Sequence, residues 1–400
     1  MYKSIIIGAG AAGLFLASLL NDKEVLVLEK NSFPGKKLNI TGKGRCNITN
    51  SCDERELIKQ IFTNGKFFYS AFRDFTNFDT VRYFNELGVK TKIERGGRIF
   101  PISDKARDVT NALYHNNICT FKFNEEVMEI KKESDKFIVK TKNASYESKA
   151  VVIATGGISY PTTGSTGDGY IFLERFGHKI VNPKPALVGV ETEFNFKQEC
   201  MGISLKNVEV KLIKKNQVYK KEFGEALFTH YGLSGPIILR LSPFVEKGDN
   251  LSLDLKPALD HKKLCDRIQR DFDASGSKLL KNSLNHLLLK NLIEPILCIS
   301  GLDGGKEANK ISKEERNALA RTIKNMEFTV INRRPLNEAI ITDGGVSVKE
   351  VNPKTMESKL VDNLFIIGEV LDIAANTGGF NLQIAFSTAY KAYKSLEGIN

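Results

Sequence analysis

The chain has 400 residues, 42% hydrophobic and 26% charged, enough apolar material for a sizeable core, which excludes a disordered or fibrous protein. Lys and Arg number 58 against 47 Asp and Glu, a net charge of +11, but most of the excess is lysine scattered as in "EIKKESDKFIVKTK", the pattern of a solvated surface. Six widely spread cysteines without a C-x-x-C pair exclude a disulfide framework and a zinc site.

In chain order, "SIII" is a short β-branched strand, the glycines after it form a turn, and "LFLASLL" has helical composition. "EVLVLEK" is a second buried strand, which completes a β-turn-α-β unit within about thirty residues. The stretch "GKKLNITGKGRCNITN" (35–50) carries too much glycine and asparagine for a regular helix and too little apolar material for core. From Asp53 to about Leu87 the pattern is helical, and Gly88 ends it. Several strands follow up to "AVVIATGG", then the loop "TGGISYPTTGSTGDG" and a helix beginning "YIFLERFG". Two prolines in "VNPKPALVGV" mark a domain crossing. Residues 188–256 alternate as strands and 257–325 are helical and lysine-rich. "AIITDGGVSV" and "KLVDNLFIIGEVLD" are strands returning to the first domain, and "NLQIAFSTAYKAYKSL" is a final helix. The expected organisation is α/β: a first domain built from 1–187 and 335–400, interrupted by an inserted second domain at 188–334 whose first part is strands and whose second part is helical. No run reaches the ~18 apolar residues of a membrane-spanning helix. The strand-like start leaves no room for a secretory leader, so the expectation is a cytoplasmic protein with no membrane partner.

"GAGAAG" sets Gly8, Gly10 and Gly13 in G-x-G-x-x-G register between strand and helix, with Ala11 and Ala12 in the first helical turn. Gly8 permits the tight turn, Gly10 lets a pyrophosphate approach the backbone, and Gly13 lets helix and strand pack closely. The phosphates would meet free N–H groups at the positive end of the helix. Glu29 ends the second strand where a ribose-binding acid belongs. A carboxylate there would repel a 2′-phosphate, so the reading is the ADP half of FAD or NAD, not of NADP.

The far end of the chain separates these two. In a flavoprotein, Glu369 after Gly368 can hydrogen-bond the ribityl chain. The helix start around Gly378, Gly379, Phe380, Asn381 and Leu382 can direct N–H groups at the flavin edge that becomes anionic on reduction. A nicotinamide enzyme needs no second glycine-rich helix start there. "ATGG" (Ala154, Thr155, Gly156, Gly157) and "STGDG" with Asp168 are further turns able to approach the cofactor, Asp168 serving either as an N-cap or as a ligand. The 35–50 stretch is not a triphosphate P-loop, because Lys37 stands where the first glycine is required and Gly44 replaces the Ser/Thr. Cys46 and Cys52, spaced C-x5-C without helical phasing, are not preset for the ~5.5 Å Cα separation of a disulfide, and Cys46 is read as lining the cofactor.

These segments together resemble the NAD(P)/FAD-dependent oxidoreductase family that includes bacterial aminoacetone oxidases and a bile-acid 7-dehydro reductase. The likeness runs nearly end to end, through "IIIGAGAAGL", "GKGRCNITN", "ATGGISYPTTGSTGDGY", "LFTHYGLSGPIIL", "TDGGVSVKEV" and "GEVLDIAANTGGFNLQIA". It implies a glutathione-reductase-like, Rossmann-like FAD domain built from both chain ends and interrupted by a mixed β-barrel and helical insertion, with FAD bound non-covalently. It also implies that Lys36, Lys37, Arg45, Cys46 and Asn47 line the cofactor, the basic residues near its pyrophosphate, and that Val127 contacts the adenine; the neighbouring Lys30 and Gly44 are further cofactor-binding candidates. This chain departs from that family at Asn376, where relatives often carry a bulky aromatic just before T-G-G.

His230, in "FTHYGLSGP", suits proton transfer near neutrality, with Tyr231 and Tyr160 as further candidates. The expected function is hydride movement between a small organic substrate and flavin N5. NAD(P)H as a transient co-substrate, or O₂, would serve the other half-reaction: reduction of a C=C bond conjugated to a carbonyl, or oxidation of an amine. The alternative is a flavoprotein that binds RNA for base modification, motivated by the net charge. Interspersed acids and the absence of tryptophan rank it second, so nucleic acid is not the expected partner.

Overall fold

In the computed structural model, which describes residues 1–398, the β-branched run at the N-terminus forms β1 (Tyr2–Ile7). It pairs in parallel with β2 (Val25–Glu29) on one side and with Ser145–Ile153 on the other. Thr120–Phe123 extends the sheet beyond β2. On the far side, Ser145–Ile153 divides its edge: its first half pairs antiparallel with Lys136–Thr141 and its last residues pair in parallel with Leu364–Ile366. Val127–Glu133 completes seven strands. Strands covered on both faces bury continuous apolar runs, and Ile5, Ile6, Leu26, Val27, Val151 and Val152 are all fully buried.

α1 (Ala11–Leu20) carries no charge and is buried along most of its length. Asn21 in the left-handed region (φ 45°) stops it, its N–H donating to Ala17 O at 3.0 Å, the usual terminal arrangement. The helix packs against Phe380–Leu396, so the two ends of the chain share one core. Phe15 anchors that contact, its ring centroid 4.8 Å from Phe386, 4.9 Å from Tyr83 and 5.2 Å from Phe75. Each such ring pair contributes about 0.5–1.5 kcal/mol beyond burial.

Two compact units result, one of Met1–Ala186 with the residues from Leu336 onward, the other Leu187–Pro335. In the second, six antiparallel strands close a barrel in the order Val190–Glu193, Gly232–Ser234, Gln217–Thr229, Ser204–Lys214, Asn250–Asp254, Met326–Arg333. Alternation sends Val208, Val210, Leu212, Leu251, Leu253 and Phe328 inward, and closure leaves no free sheet edge. The strand completing the barrel, Met326–Arg333, follows the helices instead of preceding them. Helices His261–Ser275 and Lys313–Lys324 start on Asp260 and Ser312, whose side chains accept from Lys263 N and Glu315 N, and bury Leu264, Ile268, Phe272, Leu319 and Ile323.

Two local expectations are corrected and a third is refined. The 35–50 stretch does begin with a helix, α2 (Lys36–Gly44), which is regular until Thr41, Gly42 and Lys43 leave helical geometry. Leu38, Cys46, Ile48, Thr49 and Asn50 from that stretch are buried. The two prolines of "VNPKPA" do stand at the crossing, since the first unit ends at Ala186; they lie inside the strand Ile180–Ala186, whose pairing with Ile341–Val346 shifts register between Val181 and Lys184, and an irregular strand tolerates the missing donors. The helical reading from Asp53 to Leu87 is interrupted by the short strand Ile61–Thr63, which pairs with Ala374–Ala375. Among the described residues no helix is long and apolar enough to cross a membrane.

Candidate dinucleotide site

The three fingerprint glycines do different work. A Cβ on Gly13 would lie 1.9 Å from Gly8 O, and one on Gly8, at φ 101°, would lie 2.7 Å from Ala154 O. Both are glycine because protein packs against them. Gly10 has an ordinary φ of −81°, and a Cβ there would meet nothing within 4 Å. Neither backbone geometry nor packing requires glycine at that position, so its bare backbone leaves a cradle for a ligand, as a pyrophosphate needs. α1 begins immediately beyond, with no side-chain cap and no acid in its first turn, so its positive end suits an anion.

Glu29, at the end of β2, is buried. Its Oε2 accepts from Ala9 N at 2.8 Å and its Oε1 from Asn31 N at 2.8 Å and Asn31 Nδ2 at 2.7 Å. A carboxylate offers about four lone-pair sites, so capacity remains for a ribose hydroxyl. Glu125 N donates to Glu29 O at 3.0 Å, which brings the segment before Val127 to the same strand end. Val127 itself is buried as the first residue of Val127–Glu133.

The 35–50 stretch is fastened to the fingerprint turn by Gly35 N donating to Ala9 O at 2.8 Å. From α2, Lys37 Nζ reaches Glu369 Oε2 at 2.6 Å and Ser159 Oγ at 2.7 Å. Glu369 Oε1 accepts from Ser159 Oγ at 3.0 Å and Thr342 N at 3.1 Å. Thr342 Oγ1 accepts in turn from Ile158 N and Ser159 N, which fixes the "ATGG" turn. Gly368, at φ 75°, lies against α1, since a Cβ there would be 2.8 Å from Ala12 Cβ. Gly156 stands beside Glu369 Oε2. The structure therefore gathers Ala11, Ala12, Lys37, Ala154, Gly156, Gly157, Gly368 and Glu369 around the start of α1.

The second glycine turn closes over the later part of the 35–50 stretch. Gly379, at φ 97°, has no room for a Cβ, which would fall 2.4 Å from Thr49 O. Asn50 Nδ2 donates to Gly378 O at 3.1 Å and to Gly96 O at 3.0 Å. The helix that follows, Phe380–Leu396, has neither a side-chain cap nor an acid in its first turn. Asn381 turns back onto the preceding chain, its Nδ2 donating to Ala375 O at 2.9 Å and its Oδ1 accepting from Ala375 N. Phe380 is buried and Leu382 partly so.

Other candidate residues are engaged within the protein. Arg45 pairs with Asp104, at 2.6 Å, and with Glu94, and its guanidinium sits 4.2 Å over the Phe100 ring. Lys30 pairs with Asp168, the first residue of Asp168–Arg175, and Lys36 Nζ reaches Asn31 Oδ1 at 3.3 Å. Gly44, at φ 83°, is exposed. Cys46, at φ 59°, is fully buried, and that burial pushes its thiol up to about 12. Cys46 and Cys52 are both free thiols. Tyr160, at φ 51°, precedes the turn Pro161–Thr163. In the second unit His230 is exposed, while the Tyr231 ring lies 4.5 Å beneath the Arg334 guanidinium and fills the space beside Gly189.

Buried oxygens without a partner test whether a dinucleotide fits. Asn47 Oδ1 and Asn376 Oδ1 accept no hydrogen bond within the protein, although Asn376 Nδ2 donates to Gln60 Oε1 at 3.0 Å. An unmet buried acceptor costs about 1–3 kcal/mol, and a bound ring N–H or hydroxyl would satisfy it. Together with the open face of Gly10, these acceptors make the residues present a fit for a dinucleotide cofactor. Ser159, Thr342, Asn31, Thr49 and Asn50 were not singled out from sequence. Ser159 and Thr342 sit within the quoted "ATGGISY" and "TDGG" segments, which was the available signal.

The HI0933-like protein Rossmann domain matches residues 2–395. The ribosomal RNA dihydrouridine synthase of Haemophilus influenzae is 32% identical, with 98% of each chain covered. The protein of that name from Escherichia coli is 30% identical over 99% of this chain and 98% of its own length. The 3-dehydro-bile acid delta(4,6)-reductase of Clostridium scindens is 28% identical over 97% of both. Among solved structures, 3-ketosteroid delta1-dehydrogenase from Sterolibacterium denitrificans superposes with a TM-score of 0.52 at 13% identity, covering 99% of each chain. At that identity the likeness gives the fold, which is that of FAD-dependent oxidoreductases.

Proposed function

Because this chain belongs to the HI0933-like Rossmann-domain family, we propose that it binds FAD non-covalently and reduces a C=C bond conjugated to a carbonyl. Its substrate on this reading is the C5=C6 bond of a uridine in ribosomal RNA, with NAD(P)H as the reductant. The observation that carries the choice is the pair of relatives named for ribosomal RNA dihydrouridine, similar along nearly the whole chain. The net charge of +11 agrees with a polyanionic substrate. Composition alone ranks this second; the relatives move it first.

FAD supplies hydride transfer through its N5. The protein's own residues bind and orient. The bare backbone of Gly10 and the start of α1 take the pyrophosphate, and Glu29 takes the adenosine ribose. Glu369, held by Lys37, Ser159 and Thr342 N, presents a fixed acceptor edge to the ribityl chain. The uncapped helix start after Gly379 would turn its free N–H groups toward the flavin ring, where they would favour negative charge. Saturating C5=C6 requires a hydride on one carbon and a proton on the other. His230, Tyr231 and Tyr160 remain the proposed proton donors.

A second reading is favoured by the Clostridium scindens relative: reduction of an enone in a small apolar molecule, the same bond type in a different substrate. Anaerobic reduction of the purified protein by NADPH or NADH, followed by a uridine-containing ribosomal RNA fragment, a steroid enone, an amine or air in separate vessels, discriminates among these. Reoxidation by RNA with uptake of two hydrogens supports the first reading. Reoxidation by the enone alone supports the second. Turnover with amine and air alone overturns both. A protein that binds no FAD on reconstitution removes the flavin chemistry altogether.

A further inference from the structure

We propose that the tip of the hairpin Thr91–Glu94/Arg98–Pro101 is a phosphate clamp, in which Arg95 and Arg98 hold the RNA backbone beside the uridine that enters the site. This rests on the reading of the substrate as RNA and names a surface of this chain that recognises it.

The hairpin divides its positive charge in two. At its base, Lys92 is neutralised by Asp104 at 2.5 Å, and Arg45, which reaches it from the 35–50 stretch, by Asp104 and Glu94. At its tip, "RGGR" places Arg95 and Arg98 on either side of Gly96 and Gly97. Both arginines are exposed, and among the described residues neither has a carboxylate partner. Arg98 is nevertheless ordered: its Nε donates to Arg95 O at 3.0 Å, and its guanidinium lies 5.7 Å from the Phe100 ring centroid. Those contacts leave the terminal Nη groups available as a planar fork, the geometry suited to two phosphate oxygens.

The tip is also fixed in place. Ser51 N donates to Gly97 O at 2.7 Å, and a Cβ on Gly97 would lie 2.5 Å from Asn50 Oδ1. The Asn50 amide bridges Gly96 O and Gly378 O, so one side chain connects the arginine tip to the glycine turn assigned to the flavin ring. The backbone that carries these two unneutralised guanidinium groups is thereby anchored beside the proposed reaction centre. A single-stranded RNA presenting one base there would carry its flanking phosphates past them.

The test is equilibrium binding of a uridine-containing ribosomal RNA fragment to the full chain across a salt series, with NADPH and NADH consumption measured beside it, for wild type, Arg95→Gln, Arg98→Gln and the double variant. Bound-flavin absorbance serves as the check on folding. Each single variant is expected to flatten the log-affinity against log-salt slope by roughly 0.7–0.9, and the double variant to bind about tenfold more weakly at low salt. Wild type and variants binding RNA with the same slope overturns the clamp and leaves the RNA reading standing. A loss confined to NADPH relative to NADH consumption, with RNA affinity intact, also overturns it and assigns the arginines to the 2′-phosphate of NADPH. A wild type that does not bind the RNA even at low salt removes the substrate reading and the clamp together.

Discussion

Lys37 Nζ stands 2.6 Å from Glu369 Oε2, joining positions 332 residues apart in the chain, with Ser159 Oγ bonded to both. Both side chains are about a fifth exposed, 21% and 23%, so the pair is screened less than a surface ion pair and more than a buried one. Replacing Lys37 with Met and Glu369 with Gln, singly and together, should give a coupling energy of about 1 kcal/mol in a double-mutant cycle from denaturant melts. Additive effects would mean that the pair is not a unit. Glu369→Ala should also loosen FAD by at least about tenfold, the equivalent of one charge-assisted hydrogen bond.

The fingerprint glycines should separate by readout. Gly13→Ala forces a Cβ to 1.9 Å from Gly8 O and should destabilise the apoprotein by about 1–3 kcal/mol or more. Gly10→Ala meets no protein atom within 4 Å, so the apoprotein should melt normally while FAD binding falls. Thermal melts of FAD-stripped protein beside flavin titrations distinguish the two. A Gly10→Ala variant that binds FAD as wild type does would remove the cradle.

Local and distant features differed in how legible they were. The β1–glycine–α1–β2 unit and Glu29 could be read because every residue that defines them lies within thirty positions. The strands of the insertion could be read as alternation, yet the strand that closes the barrel, Met326–Arg333, could not be placed, because strand pairing depends on partners outside any sequence window. The resemblance places Arg45 near the pyrophosphate, and its partners Glu94 and Asp104 could not be read beside it because they lie far along the chain. α2 was missed because glycine and asparagine frequency outweighed the five residues after Gly35 that sustain a helix, and Gly35, at φ 67°, is its start.

Cysteine reactivity should be uneven. Burial pushes the Cys46 thiol up to about 12 and, with Glu56 and Asp53 nearby, Cys52 up to about 11, whereas Cys298 is exposed. Alkylation of native protein in mildly alkaline buffer, followed by peptide mass analysis, should label Cys298 well before Cys46, because the thiolate is the reacting form. Fast labelling of Cys46 would contradict its buried position.

Burial also raises the Asp372 carboxyl above its ordinary 3.8; an Asn64 hydrogen bond opposes the shift and Asp343 adds to it. A carboxyl whose folded value exceeds its unfolded value contributes most favourably when protonated, and that contribution declines as pH rises from the unfolded value through the folded one. Asp372→Asn should therefore raise Tm relative to wild type more at about pH 7 than at about pH 4. An equal shift at both values would show that Asp372 carries no such penalty.

The most direct test of the central claim is nucleoside mass analysis of a uridine-containing ribosomal RNA fragment after anaerobic incubation with the FAD-loaded protein and NAD(P)H. The account predicts a uridine that has gained two hydrogens, with NAD(P)H consumed in equal amount. Unchanged RNA beside a flavin that NAD(P)H has fully reduced would contradict it.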